Sequence, residues 1–198
     1  VRMSRSQVQQ LLAQALALHQ GGRLNEAAML YEQVLQSEPR NFDALHLMGI
    51  VSAQTGHSQL AAELIGKAIK INPLVPIAHN NRGNALKDLG QFDLAIACYN
   101  KAIALDRNYA EAFFNRGVAL EGLGQPDNAV KSYDRAIELN PTLVAAYFNR
   151  GNALKDLGRF SAAVENYDRA ISLKPDYAEA YSNRGAVLVE LKQYEMAV

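Results

Sequence analysis

The sequence predicts an all-α solenoid built from antiparallel helix pairs, and three observations carry that expectation. One decapeptide, Asn-Arg-Gly-Asn-Ala-Leu-Lys-Asp-Leu-Gly, occurs twice, at 81–90 and at 149–158, a separation of 68 residues or twice 34. A looser copy beginning at Asn115 stands midway, and a further one opens at Asn183-Arg184-Gly185. Within the repeat, apolar residues recur at three- and four-residue spacings, the period of a helix with one buried face. A glycine and a proline, Gly158 and Pro175 in the fifth repeat, stand where helices commonly end. A fixed period of this size signals stacked supersecondary units that share one continuous core.

Val1 to Gln7 is a polar, basic flank that is expected to fray. Five full repeats follow, starting near Val8, Phe42, Pro76, Ala110 and Val144. A truncated sixth starts at Ala178 and stops at Val198, inside its expected second helix, and the whole of 1–198 reads as a single array. In the fifth repeat the first helix carries Tyr147, Gly151, Leu154 and Leu157 on one stripe. Ser161 stands where an N-cap is expected, with Asp93 and Asp127 in the same column. The second helix presents Ala163, Val164, Tyr167, Ala170, Ile171 and Leu173, and Pro175 stops it.

Small residues hold columns. Gly49, Gly83, Gly117, Gly151 and Gly185 form one, with Ala15 in the first repeat; Ala27, Ala61, Ala95, Ala129, Ala163 and Ala197 form another. Glycine inside a helix costs about 1 kcal/mol relative to alanine, so its return every repeat points to close approach of the paired helix.

Composition narrows the function classes. Lys plus Arg number 20 and Asp plus Glu number 20, a net charge of zero. The two parts of the chain are each balanced too: residues 1–75 hold six basic and five acidic side chains. A nucleic-acid binder normally shows a basic stripe, so neither nucleic acid nor an anionic membrane is expected as a partner. The single cysteine, Cys98, makes no internal disulfide. With no membrane-length apolar run and no signal-like start, a cytoplasmic location is expected. His19, His46, His57 and His79 lack metal-ligand spacing, and no catalytic constellation or phosphate loop is seen. The expectation is therefore no enzyme, no metal and no cofactor.

Tyr147, Arg150-Gly151, Leu154, Ala163, Tyr167 and Pro175 follow the tetratricopeptide pattern of a 34-residue helix–turn–helix. From about Val8 onward the chain resembles the tetratricopeptide-repeat family, with five matches in register. It departs where arginine replaces the usual leucine at Arg82, Arg116, Arg150 and Arg184, where Arg107 replaces proline, and at Leu45, Ser52 and Ile65. The resemblance implies a right-handed superhelix whose concave groove is lined by the first helix of each repeat. It also implies a scaffold that binds a peptide or protein segment there.

Under that resemblance, the groove residues are Asn81, Asn84, Lys87, Asp88, Asn115, Asn149, Asn152, Lys155, Asp156 and Asn183, with Phe114 and Phe148 as apolar anchors. An amide both donates and accepts, so a row of them suits an extended peptide backbone. The same inventory serves amides that bond one another or neighbouring helices. The asparagine column is also similar to that of O-linked N-acetylglucosamine transferases, which implies a substrate-recruiting arm of a larger glycosyltransferase as an alternative. A strict carboxylate clamp does not fit, because Ile77, Glu111, Ala145 and Glu179 occupy its basic column.

The arginine column reads as structural: Arg116 and Arg150 precede Asp134 and Asp168 by eighteen residues and are expected to pair with them across each helix pair, with Asn100 as a neutral partner for Arg82. Leu188, Leu191 and Val198 lack a covering repeat, so self-association, or a self-assembling structural array, is a further expectation.

Overall fold

The short links between helices follow from one turn repeated five times. Gly158 adopts φ +70°, and Gly22, Gly56, Gly90 and Gly124 take similar positive values. Beyond the C-cap Leu157, the Gly158 N–H bonds to the Lys155 carbonyl (2.9 Å) and the Arg159 N–H to the Leu154 carbonyl (2.9 Å). This is the pair of bonds that closes a helix through a left-handed glycine, where a side chain is disfavoured. Arg159 then opens the next helix, its carbonyl accepting from Ala163 (3.0 Å).

The structure is a computed structural model that describes residues 3–197, with side chains described as far as Lys192. Among the described residues there are eleven α-helices and no strand. Two compact units, 1–105 and 106–198, divide the chain. The first holds α1 (Arg5–Gln20), α2 (Leu24–Ser37), α3 (Phe42–Gln54), α4 (Ser58–Ile71), α5 (Pro76–Asp88) and α6 (Phe92–Leu105). The second holds α7 (Ala110–Gly122), α8 (Pro126–Leu139), α9 (Val144–Asp156), α10 (Phe160–Leu173) and α11 (Ala178–Ala197). Within each unit, odd and even helices pack as consecutive pairs, the arrangement of a tetratricopeptide solenoid. No described helix is long and apolar enough to cross a membrane.

The four pairs from α3–α4 to α9–α10 are each closed by one large side chain seated on a glycine. A Cβ on Gly83, Gly117 or Gly151 would lie 2.5, 2.4 or 2.7 Å from the ring of Tyr99, Tyr133 or Tyr167. Gly49 makes the same seat for Ile65 Cγ1, at 2.5 Å. These four large residues are fully buried, together with Ala61, Ala95, Ala129 and Ala163 of the alanine column. Burying a side chain of this size contributes roughly 1.5–3 kcal/mol. The glycine seat is what permits a ring there without parting the helices.

Three expectations are corrected at this level. The flank is ordered from Met3: Ser4 caps α1 in a reciprocal box with Gln7, and the Met3 N–H donates to Ser37 Oγ at 2.8 Å. Val1 and Arg2 lie outside the described residues. Ser161, Asp93 and Asp127 are not N-caps but second residues of α10, α6 and α8; Arg159 and Gln125 hold the cap positions of α10 and α8 without side-chain cap bonds. The glycine turn leaves a single residue, Arg159 in the fifth repeat, between the left-handed glycine and the next helix, and its N–H is already closing the helix before it. Acidic residues in the first turn still suit the helix dipole. Finally, the sixth repeat does not turn: α11 runs unbroken through residue 192, where Lys192 stands in the column of left-handed glycines. Without that glycine the turn loses its favoured residue and the helix continues. The side chains of Ala197 and Val198 lie outside the described residues.

Candidate interaction surface

First helices lie beside first helices within each unit: α3 by α5, α7 by α9, and α9 by α11. The tyrosine that fills each glycine seat sends its hydroxyl toward this row. Tyr167 donates to Asn152 Oδ1 at 2.8 Å and also interacts with the Asn183 amide. Asn183 Nδ2 in turn donates to Asn152 Oδ1 at 2.9 Å. In the first unit Tyr99 donates to Asn84 Oδ1 at 2.8 Å.

The middle copy solves the same problem differently. Val118 stands where Asn84 and Asn152 stand and has no acceptor. There Tyr133 donates to Glu121, one helical turn further on, and is also bonded to the Asn149 side chain. Burial raises the Glu121 carboxyl above its ordinary value, opposed by the bond from Tyr133; the nearby charge of Asp156 raises it further. Burial and the Glu121 charge push the Tyr133 phenol upward. The Tyr167 phenol is pushed up to about 12, by burial first and then by the charge of Asp156.

At α3–α5, Asn81 Nδ2 lies 3.1 Å from His46 Nε2 and donates to it. Burial lowers the His46 pKa, with a smaller opposing pull from Asp43, which keeps the ring a neutral acceptor. The amide column is therefore an internal network: Asn81, Asn84, Asn149, Asn152 and Asn183 all hold neighbouring helices. They remain half-buried rather than fully enclosed. An amide has two donors and an acceptor with two lone pairs, so Asn183, whose described bonds use its donor side, keeps acceptor capacity at Oδ1.

The other expected site residues separate. Asp88 and Asp156 are exposed, and Lys87 and Lys155 are half-buried beside them, at 3.5 and 3.8 Å. Asn115 departs from the expected lining: it is 8% exposed, buried among helices. Phe114 and Phe148 are half-buried packing residues, at 5.9 Å from the Tyr133 ring centroid and 6.0 Å from that of Tyr167. Phe148 also packs on Tyr177, at 4.8 Å. Sequence reasoning missed the role of the tyrosine hydroxyls and of Glu121. The available signal was the fifteen-residue spacing from Asn84 to Tyr99 and from Asn152 to Tyr167, with a carboxylate appearing in the one copy that carries Val118.

The arginine column is structural as expected, but its partners are not. Arg150 Nη1 donates to Asp134 at 2.5 Å and Arg184 Nη1 to Asp168 at 2.6 Å, sixteen residues back rather than eighteen ahead. Each of these arginines thus ties its own helix to the second helix of the preceding pair. Nε is used separately: Arg150 donates to Asn166 Oδ1 at 2.7 Å and Arg116 to Ser132 Oγ at 3.1 Å. Arg116 and Arg135 also flank the buried Phe113 ring, at 5.2 and 5.8 Å. Burial raises the Cys98 thiol above its ordinary value, with a smaller opposing pull from the Arg82 charge.

On α11, Tyr181 is 46%, Leu188 41% and Val189 58% exposed.

Comparison with known proteins agrees with this architecture. A family model described as TPR repeat matches residues 83–124 and 151–192. Models described as tetratricopeptide repeat match 12–76, 110–143 and 132–165. The comparison with curated proteins returned no match. Among solved structures, a crystal structure of MamA is 23% identical, with a TM-score of 0.77 over 90% of this chain and 99% of that one. YrrB, described as a TPR protein with an unusual peptide-binding site, is 24% identical, with a TM-score of 0.76 over 88% and 90%. TTC0263, a thermophilic TPR protein of Thermus thermophilus, is 20% identical, with a TM-score of 0.70 over 92% and 99%. The repeating helix pairs, their glycine seats and these matches together place the chain in the tetratricopeptide-repeat family.

Proposed function

We propose that this chain is a non-catalytic protein-interaction scaffold that takes up a peptide or protein segment on its first-helix face. The observation that carries this reading is found within each unit: half-buried amides held by a tyrosine hydroxyl beside an exposed aspartate, Asn84 with Asp88 in the first and Asn152 and Asn183 with Asp156 in the second. Polar groups fixed before binding lose little conformational entropy on binding, and amides with remaining capacity suit peptide backbone. The description of YrrB as peptide-binding supports the same reading.

The test is binding of the full chain to a peptide library, compared with a variant carrying Asp88→Lys and Asp156→Lys. Both side chains are exposed, so the helical fold should be retained, as circular dichroism checks. Peptides whose affinity falls at least tenfold in the variant support the first-helix face, whereas uniformly unchanged affinities reject it. The asparagines are poorer probes, since removing them also frees tyrosine hydroxyls.

A second reading, self-association through α11, is favoured by the exposure of Tyr181, Leu188 and Val189. Light scattering at micromolar concentration that finds only monomer rejects it.

A further inference from the structure

Arg82 occupies the arginine column without the partners that its counterparts have. Sixteen residues ahead, where Ser132 and Asn166 accept from Arg116 and Arg150, stands Cys98. Sixteen residues back, where Asp134 and Asp168 receive Arg150 and Arg184, stands Gly66. The Arg82 Nε is buried and has no hydrogen-bond partner among the described residues. A thiol is a weak acceptor and glycine offers none. Leaving a charged, buried donor unpaired is costly, more so than for a neutral one.

Gly66 also leaves a notch. A Cβ there would lie 3.3 Å from Arg82 Nε and 3.5 Å from Cζ, so the guanidinium sits where a side chain would begin. The notch opens into a cleft of about 320 Å³ on the α4–α5 side of the first unit, lined among others by Glu63, Lys67, Lys70 and Arg82. Three cations face one anion there, and Glu63 already accepts a hydrogen bond from Gln59 Nε2 at 2.8 Å. A second cleft that Arg82 also lines holds Cys98 and Lys101.

We infer that this cleft is an oxyanion site that takes a phosphate group, with the Arg82 guanidinium as its fixed donor and Lys67 and Lys70 as flanking charges. The group missing at position 66 is a carboxylate at the equivalent Asp134 and Asp168, which sets the geometry for an oxyanion. The two added lysines favour a dianion over a single carboxylate. Guanidinium presents planar paired donors to phosphate oxygens, and lysines add charge without demanding geometry. The site lies between α4 and α5, with Arg82 on a first helix and the lysines on a second helix, and it uses none of the amides proposed above.

The experiment follows the Arg82 Nε–H resonance of the full chain, assigned with Arg82→Lys, during titration with inorganic phosphate, acetate or chloride at constant ionic strength. A saturable shift with phosphate, about tenfold weaker for acetate and absent for chloride, is expected, since the phosphate dianion meets the three cations with about twice the charge of acetate. Gly66→Asp restores the internal carboxylate, should abolish the phosphate shift, and should melt at the same or a higher temperature. Lys70→Glu, at an exposed position, should weaken phosphate severalfold without touching the helix packing. A shift that does not saturate, that chloride reproduces, or that acetate matches overturns the assignment. So does phosphate affinity undiminished in Lys70→Glu or in folded Gly66→Asp.

Discussion

The pair α3–α4 and the pair α9–α10 meet the same packing demand with different chemistry. In both, a glycine on the first helix receives a buried side chain from the second: Ile65 on Gly49, Tyr167 on Gly151. Isoleucine ends there in hydrocarbon and asks nothing further. Tyrosine carries a hydroxyl to the edge of the contact, and that hydroxyl is paired with Asn152 and Asn183. The polar first-helix face thus accompanies the tyrosines rather than the repeat as such. Tyr31 is the exception, since its buried hydroxyl has no partner among the described residues and Ala15 stands in its glycine column.

The strongest way to break this comparison is to fill the seats. Gly151→Ala places a Cβ at 2.7 Å from the Tyr167 ring and should lower stability to urea by about 2 kcal/mol, despite alanine's better helix propensity. Gly185→Ala, whose Cβ would meet nothing within 4 Å, should raise stability by up to about 1 kcal/mol. Equal effects at the two glycines would mean that the seat is not what selects them.

Arg150→Ala removes bonds to both Asp134 and Asn166 and should cost about 2 kcal/mol in the same assay. Arg82→Ala, whose Nε makes no hydrogen bond, should cost less than half of that. Comparable losses would show that stem packing, not pairing, sets the column.

Tyrosine-to-phenylalanine changes sharpen the contrast between hydroxyls. Tyr167→Phe should cost about 1 kcal/mol, because two amides lose a partner. Tyr31→Phe should be neutral or stabilising, because it deletes a buried group that makes no bond.

The smallest effect at neutral pH is electrostatic. The Tyr167 phenol ionises at about 12 when folded against 10.0 in its ordinary state, so the folded protein disfavours the phenolate. Its contribution is fully present below pH 10 and is lost as pH rises from 10 toward 12. Alkaline denaturation of Tyr167→Phe should therefore begin at higher pH, relative to its own neutral stability. Glu121 has the same sign at the acid end: its raised carboxyl favours the protonated folded state, so its contribution falls as pH rises above the ordinary 4.5. Glu121→Gln should remove that decline, as read from urea midpoints across the mildly acidic to neutral range.

Much of the fold was legible along the chain. Gly151 and Tyr167 recur at one interval because three successive copies fit the same ring into the same gap, and such a demand leaves a periodic trace. Gly158 and Pro175 mark helix ends through backbone constraints that act within a few residues. The candidate surface was harder. Asn115 shares a column with Asn149 yet is buried, and Phe114 and Phe148 spend their rings on Tyr133 and Tyr167. Column membership shows which helix face a residue occupies, not how deeply its neighbours cover it.

The sequence by itself determined the helix pairs, their period, the seats at Gly83, Gly117 and Gly151, and the left-handed turns, because each depends on backbone geometry or on one fixed separation. Only the tertiary structure decided the partners. Asp134 goes to Arg150 rather than Arg116, and Asn183 reaches back to Asn152. A long polar side chain between stacked pairs has two neighbours at nearly equal sequence distance, sixteen or eighteen residues away. The packing of successive pairs, which the chain specifies only collectively, brings one of them within bonding distance.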